Sequence, residues 1–126
     1  MLTPHALLFS AVALMGLILV HELGHIVMAQ CVGLTRPPRL KMRGLLAIGV
    51  AIDTTHFSPK AIAYTLIAGS WAEWVLIPAI FLEGLRYAPL LGVLIAAHWL
   101  LNWIPWGIFP NDGTRLWRLW RRGVPY

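Results

Sequence analysis

The stretch VHELGH, Val20 to His25, places two histidines and a glutamate inside an apolar run. The flanking segments ALLFSAVALMGLIL and IVMAQCV carry no charged residue. A charged side chain at the centre of a membrane-spanning helix costs roughly 2.5–3.5 kcal/mol, so this placement indicates a function. Residues four apart share one face of a helix, so His21 and His25 can bind one metal ion. Glu22 beside them can take a proton from a water molecule that such an ion activates.

The composition is that of a membrane protein. Of the 126 residues, 59% are hydrophobic and 12% are charged, whereas soluble domains carry roughly 25% charged residues. The length fits a single domain, and one cysteine, Cys31, excludes an internal disulfide. The N-terminus MLTPHALLF has no basic segment, so we expect the first apolar run to be a retained helix and not a signal peptide.

Three apolar segments predict membrane spans, at about residues 6–32, 61–81 and 89–104. The third is short, and we expect it to end inside the membrane at Pro105. GLLAIGVAI, residues 44–52, is too short to span and predicts a buried strand or a re-entrant hairpin. The tail, residues 114–126, alternates Arg with Trp and Leu, which is typical of an interfacial helix. The predicted fold is an all-α polytopic membrane protein with three transmembrane helices and a short re-entrant β or loop segment between the first two.

The distribution of basic residues predicts the orientation of these spans. The N-terminus has none, and the loop between the second and third spans has only Arg86. The others fall in the first loop and in the tail: Arg36, Arg39, Lys41, Arg43, Lys60, Arg115, Arg118, Arg121 and Arg122. The positive-inside rule therefore predicts an outside N-terminus and a cytoplasmic C-terminus, which three spans also require.

Asp112 is the best candidate for a third metal ligand, which a catalytic zinc site needs beside an open position. The helix from residue 6 to Val20 is about 22 Å long, and the helix from residue 89 to 104 is about 24 Å. Both enter from outside, so His21 and Pro105 reach nearly the same depth. We expect the irregular stretch 105–110 to bring Asp112 to the histidines.

Three further polar residues fall inside the predicted spans. Glu73 lies about 18 Å from the cytoplasmic end of the second span, and His98 lies about 14 Å from the outer end of the third. Both are near the midplane, where they either pair with each other or meet water in a cavity. Asn102 follows one turn after His98 and either binds substrate backbone or caps the broken helix.

HELGH, together with Asn102, Pro105, Asp112 and Gly113, resembles the motifs of the site-2 protease family of intramembrane zinc metalloproteases. Those residues look like its N-x-x-P…L-D-G motif, and GSWAE, residues 69–73, looks like its G-P-x-x-N motif. The resemblance covers about residues 15–116. The chain departs from the pattern at four points: a slightly longer Asn102–Asp112 spacing, Asn111 for Leu, Ser70 for Pro and Glu73 for Asn.

The resemblance implies a minimal three-helix catalytic core, with Zn²⁺ bound by His21, His25 and Asp112 and with Glu22 as the general base. It implies hydrolysis of transmembrane substrates near the cytoplasmic face, with Asn102, Glu73 and His98 in substrate-binding or supporting positions. An exposed strand edge could hold the unwound substrate. The expected partners are the bilayer and a transmembrane protein, and no nucleic acid. The oligomeric state stays open.

Two other functions are compatible with the sequence. The first is a catalytically inactive relative that binds membrane proteins, which the altered spacing and Glu73 favour. The second is a metal carrier or sensor. A carrier should present ligands along a path through all spans, whereas the candidate ligands here share one depth.

Overall fold

The computed structural model describes residues 3–43, 47–83, 87–106 and 111–123. Within these residues the chain forms four helices and one two-stranded hairpin. In chain order these are α1 (Pro4–Cys31), β1 (Arg39–Arg43), β2 (Ala47–Ala51), α2 (Pro59–Glu83), α3 (Ala88–Trp103) and α4 (Asp112–Arg122). Helices α1, α2 and α3 start and end within two residues of the predicted spans.

Helix α1 buries a single narrow stripe. Thr3 caps its first turn by accepting a hydrogen bond from the Ala6 amide at 3.2 Å, and Pro4 occupies the first helical position. The buried residues recur every three or four positions: Ala6, Ser10, Ala13, Leu17, His21, His25 and Ala29. Large apolar side chains such as Leu19 and Leu23 are exposed on the other faces. Both histidines of HELGH therefore belong to the face that packs inside the bundle.

Two helices are long and apolar enough to cross a membrane: α1, and α2 from Pro59 to Pro78. Helix α3 is apolar but only 16 residues long. Length and composition therefore support a mostly helical protein with two candidate spans. The third span and the orientation of all three stay predictions.

Small residues let α1 and α2 pack closely, as they do between membrane helices. A Cβ atom at Gly24 would lie 2.5 Å from the Ala68 carbonyl oxygen and 2.8 Å from the Ala72 Cβ. Larger apolar residues form two separate clusters. One comprises Ala13, Leu17, Leu91 and Ile95 from α1 and α3, and the other Ile62, Leu66 and Leu119 from α2 and α4. Helix α1 therefore packs against both α2 and α3, and α4 packs against α2.

The segment after α1 forms an antiparallel hairpin, in which Leu40 pairs with Val50 and Lys41 with Gly49. The described part of GLLAIGVAI forms one strand of this hairpin, and re-entry of the hairpin into the membrane stays a prediction. Burial of the strand is only partial where it is described, since Gly49 and Val50 are half-buried and Ala51 is exposed. The hairpin recruits the basic stretch RLKMR as its first strand, so β1 lies outside GLLAIGVAI. Residues 44–46 of that segment lie outside the described residues.

The basic tail is helical, as predicted, and α4 begins two residues before the predicted start at residue 114. Gly123 ends it in the left-handed conformation, with φ 69°. Leu119 is buried and Trp120 is 76% exposed, so one side of α4 packs against the bundle and another is exposed. Its location at a membrane interface stays a prediction, and residues 107–110 and 124–126 lie outside the described residues.

Two glycines of α1 offer a matched test of the α1–α2 contact. Ala at Gly24 must push against the α2 backbone, and we expect a loss of about 1–3 kcal/mol of stability. Ala at Gly16 meets only the Leu76 Cδ2 at 3.7 Å and gains helix propensity of up to about 1 kcal/mol. Thermal unfolding of the detergent-solubilised protein should show a lower midpoint for Gly24→Ala and an unchanged or higher one for Gly16→Ala. Equal midpoints for the two variants would contradict the close packing at Gly24.

Candidate metal centre

Three potential metal ligands meet where α1 faces the start of α4. The Nε2 atoms of His21 and His25 are 3.0 Å apart. The Asp112 Oδ2 lies 3.0 Å from the first of these nitrogens and 3.1 Å from the second. Both histidines are buried, and Asp112 is partly buried. The structure thus brings Asp112 to the histidines as the depth argument predicts, and the three atoms form a nearly equilateral triangle.

The other nitrogen of each ring is held by a hydrogen-bond acceptor. His25 Nδ1 lies 2.6 Å from the Thr65 carbonyl oxygen, which can only accept, so this nitrogen carries the proton. His21 Nδ1 lies 2.5 Å from Glu73 Oε1. A neutral imidazole protonated at Nδ1 has its lone pair on Nε2. Two lone pairs and a carboxylate oxygen therefore point at one another.

Two arrangements can satisfy these three atoms. In the first, a metal ion binds all of them; tetrahedral ligands at 2.0–2.1 Å from zinc are roughly 3.3 Å apart, close to the observed 3.0–3.1 Å. In the second, His21 is protonated on both nitrogens and forms ion pairs with Glu73 and Asp112. The proton on the His21 Nε2 is then the only one among the three atoms, and both the His25 Nε2 and the Asp112 Oδ2 compete for it. A metal ion, in contrast, binds all three atoms at once.

Gly69 of α2 lies directly beside both imidazole rings. A Cβ atom there would be 2.7 Å from the His25 Nε2 and 2.8 Å from the His21 Cε1. The backbone of α2 therefore forms one side of the site. Thr65, one turn before Gly69, supplies the carbonyl that accepts from His25. In the sequence, Gly69 is part of the GSWAE motif, but nothing in that motif indicates the ring contact.

Asp112 is placed by the junction between α3 and α4. The Asn111 side chain caps α4 by accepting from the Thr114 amide at 2.8 Å, and its Nδ2 donates to the Leu101 and Ile104 carbonyls at 2.5 and 2.7 Å. These carbonyls are among those that a helix end leaves without partners. Asn111, a departure from the family motif in the sequence, therefore joins the two helices and fixes the residue beside it.

Gly113 completes this junction. A Cβ atom there would lie 1.9 Å from the Trp103 carbonyl oxygen, so α4 begins in direct contact with the last turn of α3. The Trp103 indole in turn donates to the Ser70 Oγ at 2.8 Å. The α3 end is thereby fixed to α2 as well as to α4.

Glu73 lies fully buried between α1 and α3, at 0% exposure. The predicted pairing with His98 is present at 3.1 Å, and the alternative in which Glu73 meets water is wrong. Glu73 also contacts His21, which the sequence analysis missed. Because Glu73 follows Gly69 by four residues, it shares the α2 face that covers the histidine rings, and this spacing could have indicated the contact.

Asn102 lies beside His98, its amide Nδ2 being 3.2 Å from the His98 Nε2. Asn111 donates to the Leu101 and Ile104 carbonyls at the end of α3, and helix capping by Asn102 stays a prediction. Contact of Asn102 with substrate backbone stays a prediction.

Glu22 lies at the contact between α1 and the hairpin. Its Oε2 accepts a hydrogen bond from the Val50 amide at 2.8 Å, and the side chain is half-buried. Since Val50 pairs with Leu40 in the register and yet donates to Glu22, this amide points away from β1. Glu22 therefore contacts the edge of β2 that faces away from β1, and it is one residue from the first histidine of the centre.

Comparison of the chain with protein-family models, with curated proteins and with solved structures finds no match. The function therefore has to be argued from the geometry of the centre and from the sequence motifs.

Loss of any one of the three converging side chains should abolish most metal binding. We expect His21→Ala, His25→Ala and Asp112→Ala each to lower bound zinc sharply in the purified protein, measured by mass spectrometry, because each removes one of three protein donors. His56→Ala is the control, since His56 is exposed and outside the centre. Full zinc occupancy in Asp112→Ala would remove Asp112 from the site, and equal loss in His56→Ala would show that the effect is not local.

Proposed function

We propose that this protein is an intramembrane zinc metalloprotease that hydrolyses peptide bonds within or near transmembrane segments of other membrane proteins. The observation that carries the proposal is the convergence of His21, His25 and Asp112 on one point, with both rings held at Nδ1. Glu22 is adjacent to His21 in the sequence and is hydrogen-bonded to the edge of β2 that faces away from β1. The resemblance to the site-2 protease motifs supports the same function.

The donor set favours zinc. Two imidazole nitrogens and one carboxylate oxygen form a catalytic zinc set with a fourth position left for water or substrate. With both imidazoles neutral, Glu73 and Asp112 give the buried cluster a charge of −2, which a divalent cation neutralises. When bound, zinc supplies Lewis acidity, which lowers the pKa of a water molecule and polarises the scissile carbonyl.

Glu22 acts as the proton carrier of the reaction. Its Oε2 is held by the Val50 amide, so Oε1 takes the proton of the attacking water. The water oxygen bonds to the carbonyl carbon, the C–N bond breaks, and Glu22 returns the proton to the leaving amine. The hydrogen bond to β2 keeps the carboxylate in place while it alternates between base and acid.

In this proposal the substrate binds along the edge of β2 that faces away from β1. A transmembrane helix has its backbone hydrogen bonds satisfied internally, so its peptide bonds become accessible only when it unwinds. An extended segment can add to a strand edge through main-chain hydrogen bonds. The Val50 amide at this edge already donates to Glu22, so the added segment would bond to the neighbouring positions of β2 and lie beside the Glu22 carboxylate.

The membrane arrangement in the proposal has three spans, α1, α2 and α3, with the N-terminus outside and the hairpin and α4 on the cytoplasmic side. Helix α3 is short, so its end and the start of α4 lie within the cytoplasmic half of the bilayer. Non-helical backbone is tolerated at such depth where it lines a wet cavity, which the metal centre would provide.

The alternative is a catalytically inactive relative that binds membrane proteins. The ion-pair arrangement of His21 with Glu73 and Asp112 favours it, because the centre would then be satisfied without a metal. The alternative predicts a purified protein that contains no zinc and still captures transmembrane substrates.

The Glu22→Gln variant tests the chemical step. Gln keeps the shape of the side chain but cannot accept the proton, so cleavage of a single-span substrate should fall by roughly 10²–10⁴-fold or more. Zinc content, folding and substrate capture should persist. The control is Asp53→Asn, which likewise replaces a carboxylate by an amide. Asp53 lies outside the centre, and its Oδ2 is 3.0 Å from the Arg36 Nη1. A Glu22→Gln protein that binds zinc and cleaves at the wild-type rate would make the centre structural.

Reporter fusions test the orientation. Fusions after Tyr126 and within residues 39–43 should report the cytoplasm, and a fusion at Arg86 should report the opposite side, because segments rich in Lys and Arg stay on the cytoplasmic side and the loop around Arg86 has only this one basic residue. Placement of Arg86 and Tyr126 on the same side would contradict three spans and, with them, the common depth of the histidines and Asp112.

A further inference from the structure

Glu73 is a buried carboxylate that has no part in the three-ligand centre or in the proton transfer. Its two oxygens have three polar neighbours from two helices. Oε1 lies 2.5 Å from the His21 Nδ1 and 3.1 Å from the His98 Nε2, and Oε2 accepts from the Trp99 indole at 2.6 Å. A charge buried at 0% exposure needs such a set of donors, since each unmet contact is costly.

The two histidines of the centre are held by different kinds of acceptor. His25 donates to a neutral backbone carbonyl, that of Thr65, whereas His21 faces the Glu73 carboxylate. A carboxylate behind a metal-binding imidazole fixes the tautomer and the ring orientation, and it makes the ring a stronger electron-pair donor. His21 is therefore the ligand that Glu73 aims at the metal.

Helix α3 holds this carboxylate in position. His98 and Trp99 are consecutive residues, and each faces a different oxygen of Glu73. The contacts therefore run from α3 through Glu73 on α2 to His21 on α1, and they connect three helices through one side chain.

We propose that Glu73 is a positioning residue of the metal centre: it orients His21 through Nδ1 and, held by Trp99 and His98, sets how tightly the three-ligand site binds zinc. This inference rests on the metal site of the proposed function but not on protease activity. The motif that this segment resembles has Asn at this position. An Asn side chain would offer no negative charge to the His21 ring, whereas Glu73 does.

A competing interpretation of the same atoms is a second cation between His21 Nδ1, Glu73 and His98, three groups within 4.8 Å of one another. The 2.5 Å distance between His21 Nδ1 and Glu73 Oε1 is that of a short hydrogen bond. Two ligands of one zinc ion are roughly 3.3 Å apart. A second ion would also require His21 to bind metal through both nitrogens, so the geometry favours the hydrogen bond.

The test compares Glu73→Gln with Leu91→Ala in the detergent-solubilised protein. Leu91 is buried in the apolar cluster of α1 and α3, two turns before His98, so Leu91→Ala removes a buried helix contact that touches neither Glu73 nor the three ligands. The measurements are zinc affinity by chelator competition, zinc per chain, the visible spectrum of the Co²⁺-loaded protein and the unfolding midpoint of the metal-free protein.

We expect Glu73→Gln to weaken zinc binding by roughly 10–100-fold and to shift the Co²⁺ bands. Leu91→Ala should lower the unfolding midpoint with unchanged affinity and spectrum. Trp99→Phe leaves Glu73 in place but removes the donor to its Oε2, so it should weaken zinc binding by a smaller factor. This second variant tests the inference even if Glu73→Gln does not fold.

Four results would overturn the inference. Unchanged zinc affinity in Glu73→Gln and Trp99→Phe would do so while leaving the proposed metal site intact. Equal weakening in Leu91→Ala and Glu73→Gln would reduce Glu73 to a packing role. Two zinc ions per wild-type chain, one of them lost in His98→Ala, would replace the hydrogen bond by a second metal. A wild-type protein without any zinc affinity would refute this inference and the proposed function together.

Discussion

The close contact between α1 and α2 is the constraint on which the metal centre depends. Gly24 brings the α1 backbone against Ala68, and Gly69 brings the α2 backbone against the histidine rings. Only at this separation can Thr65 and Glu73 of α2 reach the Nδ1 atoms of the two histidines. Methyl groups at the glycines would force the helices apart and leave buried polar groups without partners, which costs about 1–3 kcal/mol each.

The α3–α4 junction meets a second constraint, which is to bring a carboxylate to the histidines from a helix that ends inside the bundle. Asn111 satisfies both the free carbonyls of α3 and the first turn of α4, while Gly113 removes the Cβ that would block their contact. Asp112 is consequently the first residue of a capped helix. A ligand placed in this way is held by backbone geometry and not by the rotamer of a flexible loop.

The pattern of apolar residues predicted the helices to within two residues. Because helix rise converts residue number into depth, the sequence also predicted that Asp112 lies near HELGH. They did not predict which way α2 is rotated, and the contact of Glu73 with His21 depends on that rotation. The hairpin was recognised only through its apolar strand, since the partner strand RLKMR has the composition of an exposed loop. In the sequence, Asn111 was noted only as a departure from a motif. Its structural role depends on hydrogen bonds to carbonyls up to ten residues away, which the sequence does not reveal.

The three acidic side chains near the centre differ in what holds them, and this difference supports a division of their functions. Glu73 is fully buried among donors from two helices, and the Asp112 Oδ2 faces both histidines. Glu22 is half-buried, and its Oε2 is held by a single backbone amide. A general base must exchange protons with water and with the leaving group, which requires access that Glu73 lacks. In the proposed reaction Glu22 is therefore the carboxylate suited to proton transfer, while Asp112 binds the metal and Glu73 orients His21.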